Sequence, residues 1–76
     1  MKQGEQTVGE RLRAAREQLG WTQVELAEKS GVSSMGISHF ECSRRRPSLS
    51  NFRAIVVALG VSADVMLGLD GKRGAR

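Results

Sequence analysis

The sequence predicts an all-α fold, a single domain of five helices, and three observations lead to this prediction. The chain has 76 residues, which is the size of one small domain. One Pro, two Phe and no Tyr argue against a β-rich fold, whereas the many Ala, Leu, Glu and Arg residues favour helices. Hydroxyl residues precede several stretches with apolar residues in helical spacing, and glycines follow them, as at the two ends of helices.

The first helix is predicted to begin after Thr7. Thr7 and Glu10 have the spacing of a capping box, in which each side chain accepts a hydrogen bond from the backbone N–H of the other residue. Gly20 ends this helix. Four apolar residues in helical spacing form its inward stripe: Val8, Leu12, Ala15 and Leu19. The preceding residues 1–6 are polar and show no periodicity, and we expect them to be disordered.

A second helix follows, and a tight turn ends it. Thr22 and Glu25 form another capping box. Trp21 and Leu26 have the spacing of a hydrophobic staple across that cap. Gly31 supplies the positive φ that lets the chain reverse into the next helix.

The third helix is predicted to carry an uncharged outer face. Ser33 or Ser34 caps it, and Ile37 and Phe40 fall three residues apart on its inward side. None of residues 30–40 is Asp, Glu, Lys or Arg. The outer face is therefore polar without carrying a fixed charge.

Two further helices complete the predicted fold. Ser48 caps the fourth helix and Gly60 ends it, whereas Ser62 caps a short fifth helix with Asp64 in its first turn. The fourth helix has its apolar residues on one side: Leu49, Phe52, Ile55, Val56 and Leu59. Residues 70–76 are Gly-rich and basic, and we expect a disordered tail there.

The distribution of charge points to a negatively charged partner. The formal net charge is +4, and the only charged residues between positions 42 and 63 are four arginines: Arg44, Arg45, Arg46 and Arg53. A patch of one sign beside an uncharged helix face favours binding to a polyanion such as nucleic acid. The alternative interpretation is a solvated basic loop with no partner.

The composition argues against an enzyme, a metal site and a cofactor. There is one His, one Cys, no Gly-rich phosphate loop and no pair of carboxylates in an apolar setting. His39 and Cys42 can face the same way on a helix, but two ligands do not make a zinc site. The interpretations of His39 are a base or phosphate contact, partial packing or simple exposure.

The expected location is the cytoplasm. A single Cys cannot form an internal disulfide, which fits a reducing compartment. The chain has no apolar run long enough to span a membrane, and its first residues lack the apolar stretch of a signal peptide.

An ordered set of residues resembles the helix-turn-helix domain of phage repressors and their bacterial relatives, the XRE/Cro-type family. The set consists of Leu19-Gly20-Trp21-Thr22-Gln23, Glu25-Leu26-Ala27, Gly31-Val32-Ser33, Ile37-Ser38, Glu41, Arg46-Pro47-Ser48 and Ala58-Leu59-Gly60-Val61. The resemblance implies one DNA-binding domain over residues 7–69. The sequence departs from the family at Ser43, where the family usually has Gly because the chain turns left-handed there.

The resemblance also implies the residues that meet DNA. The outer side of the third helix would lie in the major groove, and its base-reading positions are Ser34, Met35, Ser38 and His39. Because none of these is Arg, Asn or Gln, we expect modest direct readout and a larger share from phosphates and DNA shape. The expected phosphate contacts are Gln23, Arg44, Arg45, Arg46 and Ser48. Gly36 has two interpretations, drift at an exposed site or close approach of the backbone to DNA.

Arg16 and Glu41 are expected to form a structural ion pair, because the matching positions pair in the family.

Small proteins of the family typically dimerise near the C-terminus, and the candidate interface residues here are Val57, Val65, Met66 and Leu69. The function that these expectations imply is sequence-specific binding of double-stranded DNA, at a palindromic operator, by a homodimeric repressor. A phage repressor, a restriction-modification controller and an antitoxin with a toxin partner remain open. The alternative is a protein–protein interaction module that has lost DNA binding.

Overall fold

The computed structural model describes residues 7–68, and this part of the chain folds into five α-helices without a strand. The helices are α1 (Val8–Gln18), α2 (Gln23–Ser30), α3 (Ser34–Glu41), α4 (Leu49–Leu59) and α5 (Ala63–Leu67). The predicted all-α fold of five helices is confirmed. The expectations for residues 1–6, Leu69 and residues 70–76 lie outside the described residues. No helix among residues 7–68 is long and apolar enough to cross a membrane.

The helix ends lie where the capping residues predict. Thr7 and Thr22 each form a complete capping box with the Glu three positions later. Ser33, and not Ser34, caps α3, because its side chain accepts from the backbone N–H of Gly36 at 3.0 Å. Ser48 and Ser62 cap α4 and α5 in the same way.

Two turns depend on left-handed backbone. Gly31 ends α2 with a φ of 79° and lets the chain reverse into α3. Ser43 follows α3 with a φ of 61°, and among residues 7–68 it is the only residue other than Gly with a positive φ. The left-handed turn predicted at Ser43 is therefore confirmed, at a conformational cost of about 1 kcal/mol.

The core lies where the helices meet. Helix α2 packs against α3 and α4, α1 packs against α3 and α5, and α4 contacts α5. The buried apolar side chains are Leu12, Leu26, Val32, Ile37, Phe40, Ile55, Val56, Leu59 and Met66. Since α3 contributes Ile37 and Phe40 to this core, its opposite side is free to face outward.

Gly9 allows the close crossing of α1 and α3. It is buried, and a Cβ there would overlap the backbone carbonyl oxygen of Phe40 and lie 3.0 Å from that of Glu41. Only a residue without a side chain fits at this crossing. This role of Gly9 was not predicted from the sequence, because its neighbour Phe40 is more than 30 positions away in the chain.

Three predicted orientations are wrong. Leu19 is 46 % exposed because it is the cap residue after the end of α1, and Arg16 fills the inner position of the last turn instead. Leu49 is 84 % exposed because, at the start of α4, it lines an open groove and not a helix contact. Met66, expected on the surface, is 1 % exposed because it faces the core between α5 and its neighbours.

Candidate nucleic-acid interface

The outer side of α3 carries the four residues predicted to read bases. Ser34, Met35, Ser38 and His39 occupy positions one helical turn apart and so share one side of the helix. Ser34 and Met35 are exposed, with 67 % of Met35 accessible, whereas Ser38 and His39 are half-buried. This side therefore offers two hydroxyls, an imidazole and a large apolar side chain to a partner.

Gly36 lies on the same helix but does not lie in open space. A Cβ there would sit 3.1 Å from the Ser33 hydroxyl and 3.8 Å from the Phe40 ring. Its missing side chain thus faces the N-cap and the core side of α3. Drift at an exposed site does not fit this half-buried position, and a missing side chain that faces inward gives no support to close approach of the backbone to DNA on the outer side.

A buried ion pair ties α1 to the end of α3, as predicted. Arg16 donates from Nε to Oε2 of Glu41 at 2.7 Å and from Nη2 to Oε1 at 2.9 Å. Its Nη1 donates to the backbone carbonyl of Trp21 at 2.7 Å. Both charged residues are only 8 % exposed. The hydrogen bond to Glu41 raises the pKa of Arg16 above its ordinary value and outweighs burial, which acts in the opposite direction.

Gln23 joins this pair, which was not predicted from the sequence. It is the first residue of α2, and its Nε2 donates to Oε1 of Glu41 at 3.0 Å. The first N–H groups of a helix have no partner within the helix, and the helix dipole makes this end attractive to anions. The start of α2, predicted to meet a phosphate, is thereby held beside the last turn of α3.

The three consecutive arginines lie in the loop directly after α3. Arg44, Arg45 and Arg46 are exposed, and no ion pair to them occurs among residues 7–68. The backbone N–H of Arg44 donates to the carbonyl of His39 at 2.9 Å, which folds the loop back onto the helix. Ser48, also exposed, caps α4 at the far end of the loop.

These positions make one continuous arrangement around α3. The candidate base-reading residues run along its outer side, and Gln23 and the arginine loop flank its last turn. The structure thus brings Gln23 to the end of α3, although 18 positions separate it from Glu41 in the sequence. The uncharged polar side chains of the helix suit the base edges in a DNA groove, and the cations at its end suit the phosphates beside that groove.

The candidate dimer residues do not all lie on the surface. Val57 is 69 % exposed and Val65 is 44 % exposed, which fits an interface. Met66 is buried in the core and cannot take part in an exposed patch of the folded chain. Leu69 lies outside the described residues.

A groove of about 750 Å³ was not predicted from the sequence. It runs between the start of α1, the loop after α3 and the start of α4. Its apolar lining includes Val8, Phe40, Leu49, Phe52 and Leu67. Periodicity alone placed Leu49 on the packed side of α4. The sequence therefore did not indicate that an exposed apolar groove lies there.

The described residues contain no cluster of His, Cys, Asp or Glu that could hold a metal ion. Cys42, the only cysteine, is exposed at the end of α3 and forms no disulfide.

Comparison with known proteins shows which family shares this sequence and fold. The helix-turn-helix family profile matches residues 12–66. The immunity repressor protein of Bacillus phage phi105 is 40 % identical over 62 residues, which are 82 % of this chain and 43 % of the repressor. The chain therefore spans less than half the length of that relative.

Two solved structures share the fold. A crystal structure of the P22 c2 repressor in complex with a synthetic operator superposes with a TM-score of 0.80, at 39 % identity, over 87 % of this chain and 100 % of that chain. The restriction-modification controller protein C.AhdI from Aeromonas hydrophila superposes with a TM-score of 0.76, at 30 % identity, over 79 % of this chain and 91 % of that protein.

Proposed function

The chain belongs to the helix-turn-helix family, and we propose that it is a transcription regulator that binds double-stranded DNA at a palindromic site as a symmetric dimer. We further propose that it represses transcription in the bacterial cytoplasm. The observation that carries this proposal is the outer side of α3, which is uncharged and flanked by three exposed arginines.

In this proposal α3 enters the major groove. The hydroxyls of Ser34 and Ser38 pair with several different base edges, His39 donates to guanine acceptors, and Met35 contacts a thymine methyl. None of these groups makes the bidentate contact by which Arg, Asn or Gln identifies a single base. Sequence preference therefore depends partly on DNA shape and deformability.

The phosphates supply most of the affinity. Arg44, Arg45 and Arg46 lie in the loop after α3, and the start of α2 is held at the end of α3 by the bond from Gln23 to Glu41. Anions are attracted to both places, by charge in the first case and by the helix dipole in the second. These two contacts fix the register in which α3 lies along the groove.

Dimerisation supplies the remaining specificity. One helix with four reading positions distinguishes only a few base pairs, which is too little to select one site in a genome. A two-fold dimer uses the same surface twice and reads a palindrome. Val57 and Val65 are exposed apolar residues on α4 and α5, and we propose them for the contact between subunits.

The proposal is tested by selecting bound duplexes from a random library and sequencing them. The expected consensus is a palindrome with half-site centres about 10 base pairs apart, one turn of DNA. Sedimentation of the selected complex gives two chains per duplex. A library that shows no enrichment at low salt, or a complex with one chain per duplex, contradicts the proposal.

A further inference from the structure

We propose that Glu41 is a positioning residue for the phosphate contact of Gln23, in addition to its part in the ion pair with Arg16. The inference rests on the proposed function and deepens it. It concerns a hydrogen bond between the start of α2 and the end of α3, from Gln23 Nε2 to Glu41 Oε1 at 3.0 Å. In this proposal, the bond holds the Gln23 amide in the orientation in which it meets DNA.

The carboxylate of Glu41 is fixed before DNA arrives. Its side chain is only 3 % exposed, and Arg16 grips both of its oxygens at 2.7 and 2.9 Å. A planar guanidinium that binds both oxygens leaves the carboxylate one orientation. Glu41 Oε1 then accepts a second bond, from Gln23, so the position of the Gln23 amide is set by a rigid acceptor.

The chemistry of the acceptor also decides which end of the amide faces it. An ionised carboxylate only accepts hydrogen bonds, so Gln23 must present its NH₂ group and not its carbonyl oxygen to Glu41. That nitrogen carries two N–H groups, and Glu41 takes one of them. A phosphate oxygen is likewise only an acceptor, and the second N–H is the group that suits it. Without Glu41 the amide is free to flip and present its oxygen to the phosphate.

The charge of Glu41 does not repel the phosphate, because Arg16 neutralises it. The pair lies in direct contact and carries no net charge, because an arginine guanidinium stays protonated in proteins. The three residues thus join α1, α2 and α3 at one point. This point connects the phosphate contact of α2 to the helix that reads bases.

The test compares the effect of Gln23→Ala in two backgrounds of equal net charge. One is the native chain, and the other is Arg16→Met with Glu41→Met, which removes a cation and an anion together. Apolar replacement of a whole buried ion pair generally retains the fold, unlike removal of one partner. The measured quantity is the Kd for a random-sequence duplex of about 30 base pairs, or three turns of DNA, at one salt concentration.

In the native chain, Gln23→Ala removes one hydrogen bond to a charged group from each of the two subunits, so it is expected to raise the Kd about a hundredfold, which is about tenfold for each bond. In the Arg16→Met/Glu41→Met background it is expected to raise the Kd less than about twofold. Arg45→Ala is the control, because its phosphate contact does not involve Glu41, and it should weaken binding equally in both backgrounds. Equal effects of Gln23→Ala in the two backgrounds, or none in the native chain, overturn the inference.

A second measurement needs no change at Glu41. In a nitrogen–proton NMR spectrum of the native chain, the side-chain amide protons of Gln23 should exchange with water more slowly than those of exposed Gln18. Addition of the duplex should shift the Gln23 resonances and leave those of Gln18 in place. Equal exchange of the two amides overturns the inference. A native chain that binds no duplex at all contradicts the proposed function itself, which is a different result.

Discussion

The guanidinium of Arg16 and the carboxylate of Glu41 meet in two parallel hydrogen bonds of 2.7 and 2.9 Å, across 25 positions of the chain. Both residues are almost fully buried, and a third bond joins Arg16 to the carbonyl of Trp21. A buried charge of this kind is tolerated only because its partner is present, since each ion alone would be costly to remove from water.

Removal of one partner should therefore lower the free energy of unfolding strongly. Glu41→Ala leaves Arg16 buried without its carboxylate, and we expect the free energy of unfolding to fall by about 3 kcal/mol. Arg13→Ala is the control, because its ion pair with Glu17, at 3.0 Å, is exposed and should contribute about 0.5 kcal/mol. Urea unfolding followed by circular dichroism measures both. Similar decreases in the two variants would show that burial of the Arg16–Glu41 pair does not matter.

A side chain added where α1 crosses α3 should lower the stability of the fold as much as removal of Glu41. Gly9→Ala places a methyl group on the carbonyl of Phe40, and because backbone cannot move aside at low cost, we expect the free energy of unfolding to fall by about 3 kcal/mol or more. Gly36→Ala is the control within a helix. There the Ser33 hydroxyl has to yield by a few tenths of an ångström, and the gain of about 1 kcal/mol in helix propensity offsets that strain. Thermal unfolding measures both variants. Equal unfolding temperatures for the two would contradict the close approach of α1 and α3.

The dimer contact is tested at Val57. Val57→Asp places a charge on an exposed apolar residue of α4, so the chain should keep its helicity, sediment as a monomer and lose affinity for a palindromic site. Val24→Asp is the control, because Val24 is 56 % exposed on α2, outside the proposed interface, and this variant should stay dimeric. Met66→Asp is expected to unfold the chain, since Met66 is buried. A native chain that is monomeric both free and on DNA contradicts the dimer.

The arginine loop should act on all sequences alike. Arg45→Ala removes one phosphate contact from each subunit, so it should weaken selected and unrelated duplexes by the same factor. The slope of log K against log salt should become shallower by about 0.9 for each phosphate that the variant no longer neutralises. Arg13→Ala, which removes another exposed cation, from α1, should change the slope little. Fluorescence anisotropy at several salt concentrations measures both, and a weakening confined to one sequence would place Arg45 at a base instead.

The helices were predictable because their signals are local. Thr7, Thr22 and Ser48 act on backbone N–H groups a few residues away, and the reversal at Gly31 depends on its own φ. The chain itself therefore contains the information about where each helix begins and ends.

The errors arose where the neighbour is distant in sequence. Periodicity shows which residues share a side of a helix, but not whether another helix covers them. Leu49 shares the apolar side of α4 and is exposed because a groove lies beside it, whereas Met66 is covered by the packing of α5. The same limit hid the proximity of Gly9 to Phe40 and the bond from Gln23 to Glu41.

The candidate site was predicted partly from the residues themselves and partly from the resemblance to a known family. The absence of charge along α3 and the run of arginines after it are visible in the sequence, whereas the roles of single residues came from the resemblance to repressors. The Arg16–Glu41 pair was expected from the resemblance and is confirmed by the structure. The roles of Ser34, Met35, Ser38 and His39 stay predictions, because they depend on the DNA that the helix meets.

If the surface around α3 binds duplex DNA through phosphates, the affinity of the native chain must fall steeply as the salt concentration rises. The measurement is the affinity for a duplex of about 30 base pairs, three turns of DNA, over a range of salt concentrations. If three arginines from each of two subunits each neutralise one phosphate, log K should fall with log salt with a slope of about −5. A slope near zero, or no binding at low salt, would show that this surface does not bind DNA through phosphates.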